Sequence, residues 1–298
     1  MKNLLPAMHG AVIIMTPLLF AATGGLYTSL AGMLNIALEG LLLMGAFSAV
    51  AAVYFTGSFT AGLIAAICAS VLLSAILAFT TLKLRSNVFI TGLAANLLAG
   101  GLTVVLSQYF FATRGVAAIQ GYKHLPVIAI PLVNRIPVAG TLLAGHSLYV
   151  YASWLLLLVS WAVIYKTPFG YRLRACDKHA AALVSLGIQP DTYRWIAFLV
   201  SGLCCGIGGS FLSLNLGAYV PNMTAGKGWI ALVVIFLGVR RPLGLLAAAF
   251  VFGLAESFSN YAQGLFNVPA DFILAMPYAL TLLAMICVSV WVKQRDRG

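Results

Sequence analysis

The stretch Leu34–Ala46 reads LNIALEGLLLMGA, an apolar run with one carboxylate, Glu39, near its middle. No basic residue lies near it in the chain: Lys2 is far upstream across one hydrophobic segment, and Lys83 is beyond two more. An ionisable group at membrane depth costs about 2.5 kcal/mol or more, so it persists only where the fold or the function uses it. Asn35 falls one helical turn before Glu39, on the same face if the helix is continuous there. Gly40 and Gly45 let backbone or a partner helix come close. Two readings stay open at this point. Glu39 is either a protonated or hydrogen-bonded group at a helix interface, or a residue with a direct part in moving a solute.

Composition places that run in lipid. The 298 residues are 62% hydrophobic and 8% charged, with mean hydropathy +1.03. A soluble domain carries about 25% charged residues, and only lipid solvates this much apolar surface. The chain is therefore read as an all-α integral membrane protein, a single polytopic domain over residues 1–298. The net charge of +11 suggests nucleic acid or anionic substrates at first sight, but the basic residues cluster between apolar segments, as cytoplasmic loops do under the positive-inside bias. No nucleic-acid partner is expected. Cys68, Cys204, Cys205 and Cys287 lie in apolar runs and Cys176 in a basic loop, without metal spacing or a disulfide framework. His9, His124, His146 and His179 sit near segment ends or in loops with no i,i+4 pairing, so no metal is expected, nor any cofactor. Lys2 is too thin an n-region, and the following run lacks a cleavage site, for a cleavable signal peptide.

Apolar stretches run at about 11–32, 34–55, 59–82, 88–111, 148–165, 193–217, 229–239, 242–262 and 271–292, which predicts about 8–10 transmembrane helices. The stretch at 229–239 is too short to span and is bounded by Lys227-Gly228 and Arg240-Arg241-Pro242, the mark of a short, tilted or re-entrant helix. Placing the basic groups Lys83/Arg85, Lys166–Lys178, Arg240-Arg241 and Lys293–Arg297 in the cytoplasm lets every segment from 59 onward alternate, with 112–147 and 265–270 outside. The C-terminus is then cytoplasmic. Counting back puts the N-terminus outside, unless one of the first two segments is broken near Gly24-Gly25 or Asn35/Glu39. The small-residue stripes Gly202/Gly206, Gly24/Thr28/Gly32 and Ala249/Gly253 read as tight helix packing or as the lining of a flexible cavity.

The basic loop at about 166–192, largely the stretch TPFGYRLRACDKHAAALVSLGIQPDTYR of residues 167–194, is too apolar to be a mere linker. Ala175, Ala180–Leu183 and Leu186 give a short amphipathic helical pattern with Arg172, Arg174 and Lys178 on other faces. Gly187 suits the C′ position, and Pro190 blocks continuation. Such a helix either rests on anionic headgroups of the membrane lipid or receives force from a cytoplasmic motor.

This loop resembles the GxxLRAxGxNxxAAxxxGI stretch of bacterial ABC-importer permeases of the branched-chain amino acid, ribose and nucleoside group. The matching positions are Gly170, Leu173, Arg174, Ala175, Ala180, Ala181, Gly187 and Ile188, while Asp177 and His179 stand about where glycine and asparagine are usual. The likeness continues through Ser201–Gly209, Gly226–Ala231 to Gly238, Pro242-Leu243-Gly244 and Phe252-Gly253, and Asn35–Gly40 resembles the NIGLEG signature of the simple-sugar and nucleoside branch. The resemblance implies a transmembrane subunit without chemistry of its own. It would work beside a second homologous permease or a second copy of itself, a cytoplasmic ABC ATPase and an extracytoplasmic binding protein. It would move nucleosides or simple sugars by alternating access, in the bacterial cytoplasmic membrane. The chain has no GxxxxGK[ST] loop, so ATP would be hydrolysed elsewhere. Gly170, Arg172, Arg174, Asp177, Ala181 and Gly187 are the expected ATPase-coupling residues.

For the substrate pathway the candidates are polar residues at membrane depth: Asn35, Glu39, Asn96, Gln108, Asn215, Glu256, Asn260 and Gln263. Each is equally readable as an interhelical hydrogen bond. Tyr219 or Trp229 would stack on a base, and Glu256, unpaired in sequence like Glu39, would line the same path. A proton-coupled secondary transporter carrying protons on Glu39 or Glu256 is the alternative. A membrane transferase is disfavoured because Asp177, Asp191, Asp271 and Asp296 are dispersed.

Overall fold

The computed structural model describes residues 4–119, 125–128 and 144–265. The expected segment at 271–292, the basic tail, His124, Asp271, Cys287 and Asp296 lie outside the described residues. The helices are α1 (Leu4–Leu30), α2 (Leu38–Thr56), α3 (Phe59–Ala78) running into a π turn (Phe79–Lys83), α4 (Val88–Phe111), α5 (Leu148–Lys166), α6 (Pro168–Lys178), α7 (Ala180–Ser185), α8 (Pro190–Leu216), α9 (Lys227–Leu237) and α10 (Pro242–Leu265). Among the described residues seven of these, α1 to α5, α8 and α10, are long and apolar enough to cross a membrane, and α9 is the short apolar one. Strand β1 (Ala117–Ala118) pairs antiparallel with β4 (Ala218–Tyr219), and β2 (Val127–Ile128) with β3 (His146–Ser147).

Local chemistry fixes the element ends. Asn87 accepts the Phe89 and Ile90 N–H groups at the start of α4. Proline opens α6 and α8, where its missing N–H is no loss. Gly57 and Gly217 close α2 and α8 in the left-handed conformation.

Helix α8 is the axis of the bundle and packs on α1, α2 and α3. The shared core holds Leu18, Leu19, Leu41, Leu42 and Phe198, all essentially without exposure. Close approach depends on the small-residue stripe: a Cβ at Gly202 would fall 2.9 Å from the Ser70 carbonyl oxygen, and one at Gly206 would fall 2.8 Å from that of Ala66. That stripe is helix packing and not a cavity lining. Helices α4 and α5 turn most of their surface outward, as lipid-facing helices do.

The contacts assign the two ends of the bundle. At one end Arg194, near the start of α8, reaches the Ala31 carbonyl just past α1, and Arg240 bonds Ser29 of α1 and Asp177 of α6. At the other end the β1–β4 ladder meets the C-terminal half of α2, with the Tyr219 ring edge-on to Phe47 at 5.2 Å. There the His9 ring of α1 stacks on His146, 4.2 Å between centroids. Helix α1 is therefore a full crossing, and the break between the first two segments falls at residues 31–37, where the chain turns back into the bundle.

Candidate functional site

The break after α1 leaves the N-terminus of α2 inside the bundle. Asn35 donates to the Ser201 hydroxyl at 2.9 Å, and Ser201 lies about 16 Å along α8 at roughly 1.5 Å per residue, close to mid-membrane. Amides at a helix start have no intrahelical partner and must be satisfied in lipid. The Asn35 carbonyl oxygen accepts from Ala37 N–H at 3.0 Å, and that of Asn96, on α4, accepts from Gly40 N–H at 2.7 Å. The Asn96 amide also donates to the Ile36 carbonyl at 3.0 Å. Both asparagines thus act as caps, one of them supplied by a neighbouring helix.

Glu39 does the same for α9. Its two carboxylate oxygens accept the N–H groups of Gly226 at 2.8 Å and Gly228 at 2.6 Å. The carboxylate lies in the first turn of α2 and against the first turn of α9, so it meets two positive helix ends, each equivalent to roughly half a charge. Two charge-assisted hydrogen bonds, at about 1.5–3 kcal/mol each, offset the cost of placing the group there. Gly228 is required by the close crossing: a Cβ on it would collide with the Glu39 backbone. Gly226 precedes the helix with φ +80°, a conformation few other residues adopt.

Between those two glycines, Lys227 extends to Glu256 of α10 and pairs with it at 2.5 Å, the side chains only 13% and 23% exposed. The sequence reading of Glu256 as unpaired is corrected here; its partner was hidden because Lys227 reads as the boundary of a short segment. The structure brings Asn35, Glu39, Asn96 and Glu256 to the two ends of one re-entrant arrangement. It leaves Asn215 and Asn260 exposed, toward the far ends of α8 and α10, and Gln108 exposed in the last turn of α4. The side chain of Gln263 lies outside the described residues. Tyr219 is fully buried under the β1–β4 ladder and offers no face for stacking on a base, whereas Trp229 is 41% exposed on α9.

The basic loop folds as two helices and not one. Residues Leu173 and Cys176 of α6 and Leu183 of α7 all face inward. A continuous helix would turn Leu183 about 80° away from Leu173, and the break at His179 realigns it. Gly187 takes φ +73°, and the Ile188 N–H bonds the Leu183 carbonyl at 2.9 Å, the Schellman closure that Gly187 predicts. Gly170 lets α6 fold back tightly on α5, since a Cβ there would run into the Val163 and Ile164 carbonyls. Arg174 lies over the rings of Tyr165 and Tyr171 at 4.9 and 5.0 Å, and Arg172 donates to the Tyr193 hydroxyl at 3.0 Å. Ala181 is exposed. Burial pushes the Cys176 thiol up, with the nearby Arg194 guanidinium opposing that shift.

Ser29 and Arg194, which the sequence reading did not single out, join Asp177 and Arg240 where this loop meets α9. Arg240 donates to the Asp177 carboxylate at 3.0 Å, to the Ser29 hydroxyl at 2.9 Å and to the Ser29 carbonyl. Arg194 donates to the Cys176 carbonyl at 3.2 Å and pairs with Asp191 at 3.0 Å. Val239 and Arg240 both have φ +53°, a strained backbone for a β-branched and a long side chain that costs of order 1–3 kcal/mol per residue. Arg240 read in the sequence as a cytoplasmic basic residue, and nothing in that reading points to its partners. Among the described residues no group of histidine, cysteine or acidic side chains is arranged to hold a metal.

The sequence profile described as "Branched-chain amino acid transport system / permease component" matches residues 8–289. The chain belongs to this permease family. The "Nucleoside ABC transporter permease protein NupC" of Lactococcus lactis subsp. cremoris is 31% identical over 287 residues, 92% of this chain and 89% of that one. The "Guanosine ABC transporter permease protein NupQ" of Bacillus subtilis is 32% identical over 287 residues, with the same coverage. A solved structure described as "An inward-facing conformation of a putative metal-chelate type ABC transporter" superposes with TM-score 0.53 at 16% identity, covering 95% of this chain and 85% of that one, and shares the fold. As a family permease the chain is a multi-pass transport component and not an enzyme.

Proposed function

We propose that this chain is the transmembrane permease of an ATP-driven ABC importer and that its solute is a nucleoside, with simple sugars the neighbouring class. The observation that carries the reading is the identity of nearly one residue in three, along about nine-tenths of the chain, with two nucleoside ABC permeases. The geometry supports a neutral solute. Half-helix N-termini at mid-membrane commonly face anionic substrates, but here Glu39 already occupies that of α9, and Glu256 neutralises Lys227. The same engagement weighs against a proton carrier, because both carboxylates are held as hydrogen-bond acceptors.

In this reading the end carrying Arg174, Arg194 and Arg240 is cytoplasmic, and the N-terminus lies outside. The α6–α7 segment within 166–192 is the docking element for an ABC ATPase, with Gly170, Arg172, Arg174, Asp177, Ala181 and Gly187 shaping it. A second permease subunit completes the pathway, and an extracytoplasmic binding protein delivers the solute to the end built by the β1–β4 ladder. Asn215 and Asn260 face that entrance, while Asn35, Glu39, Asn96 and Glu256 brace its floor.

The test is uptake of radiolabelled guanosine, adenosine and ribose into proteoliposomes holding the full complex. ATP-dependent accumulation that survives a protonophore is the expected result. Accumulation by this chain alone that collapses with the proton gradient overturns the reading.

A further inference from the structure

Helix α9 is held at both ends by carboxylates carried on other elements. Its N-terminus is clasped by Glu39 of α2, and the turn after its C-terminus is tied through Arg240 to Asp177 of α6. Between these points lie 11 helical residues, a rod about 16 Å long. We propose that Arg240 is a positioning residue that passes movement of the α6–α7 segment into α9 and on to the Glu39 clasp at mid-membrane. The proposal rests on reading α6–α7 as the segment that an ATPase moves.

Three observations make the path specific. The Arg240 guanidinium touches α6 through Asp177 and α1 through Ser29, so one side chain registers the position of the loop segment against the end of the first crossing helix. Its own backbone and that of Val239 are strained, and Arg240 N–H bonds the Ile235 carbonyl at 3.0 Å, so the side chain is coupled directly to the last turn of α9. Strain of this kind persists only where the surroundings hold it, and the guanidinium contacts do so here. Third, the Asp177–Arg240 pair is about one-third exposed on each side, so it contributes little to holding the fold and can open into water. Arg194 binds the Cys176 carbonyl and the Ala31 carbonyl independently. Opening the Asp177 contact therefore leaves α6 hinged on α8 and not detached. An open groove of about 1070 Å³ lies beside the α9–α10 turn, lined by Trp161, Tyr165, Arg174 and Leu243 among others.

Two measurements test this, and they fail separately. In the permease alone in nanodiscs, Asp177→Ala should raise amide hydrogen exchange in peptides covering 225–230 at least three-fold, although those amides lie at the far end of α9. Exchange that changes only around 238–241 overturns the inference whatever the protein transports. In the reconstituted complex, Asp177→Arg and Arg240→Asp should each raise the ATP hydrolysed per nucleoside imported at least five-fold. The exchanged pair Asp177→Arg/Arg240→Asp should return it to within two-fold of the parent. A purely structural loss lowers hydrolysis and uptake together, and that result, or failure of the exchanged pair to recover, overturns the proposal. A parent complex that imports no nucleoside or sugar defeats the functional reading, while the exchange measurement still decides the mechanical one.

Discussion

Helix α9 has two carboxylate attachments, and they differ in kind. At mid-membrane, the half-buried Glu39 gives both oxygens to backbone amides. At the loop end, Asp177 meets one guanidinium nitrogen in a setting about one-third exposed. The first contact substitutes for solvation and cannot be released without stranding a charge and two amides. The second exchanges readily with water. A lever needs both, a fulcrum that does not slip and a grip that opens.

The sharpest way to break this contrast is at the fulcrum. Gly228→Val should prevent α9 from crossing α2 and abolish recovery of folded protein from the membrane, measured by size-exclusion of a detergent extract; normal recovery would show the crossing to be loose. Glu39→Ala should destabilise by about 3 kcal/mol, because it leaves two helix-start amides without their partner in a half-buried site. Glu39→Gln should recover part of that loss by accepting one of the two N–H groups. Thermal unfolding in detergent ranks the three, and equal melting of Gln and Ala variants would mean the hydrogen bonds are not what matters. Smaller again is the ion pair on α10. Lys227→Met and Glu256→Gln should each cost about 2 kcal/mol, and the double variant should lose clearly less than their sum, with a coupling of about 0.5–3 kcal/mol. Additive losses would show that the pair is not formed. At the grip, Asp177→Asn, which weakens the ion pair and leaves Arg240 on Ser29, should change stability by under about 1 kcal/mol, the ordinary worth of a partly exposed pair, even where it uncouples transport. The smallest effect concerns Cys176, whose buried, upshifted thiol should react with maleimide far more slowly at pH 7.4 than an exposed free cysteine does, and faster as pH rises. Rapid labelling at pH 7.4 would place α6 away from the bundle.

Hydropathy was a reliable guide to the crossings because segment length and lipid thickness are directly linked. The short helix at 229–239 was legible for the same reason, whereas the sequence left a break open between Gly24-Gly25, which lies inside an unbroken α1, and Asn35/Glu39. The braces were not. Glu39 bonds two backbone amides nearly two hundred positions away, and an N–H group leaves no trace in the identity of its residue. Asn96 capped a helix on a neighbouring element, which no local capping pattern records. Lys227 was read as a terminator, although a lone lysine and a lone glutamate in apolar surroundings at corresponding depth were a pair waiting to be matched. The α6–α7 break at His179 depends on which face each half presents, and that is decided by the bundle beneath.

The crossing of α2 and α9 also bears on how the chain is made. Helix α9 has too few residues to enter a bilayer on its own hydrophobicity, and its first amides are satisfied only by a side chain synthesised 187 and 189 positions earlier. The re-entrant segment therefore cannot settle at its depth until the first two crossings have assembled and presented Glu39. Biogenesis of this permease should pass through a state with α9 still at the membrane surface, protease-accessible, and finish by a late inward step that Glu39 variants would slow.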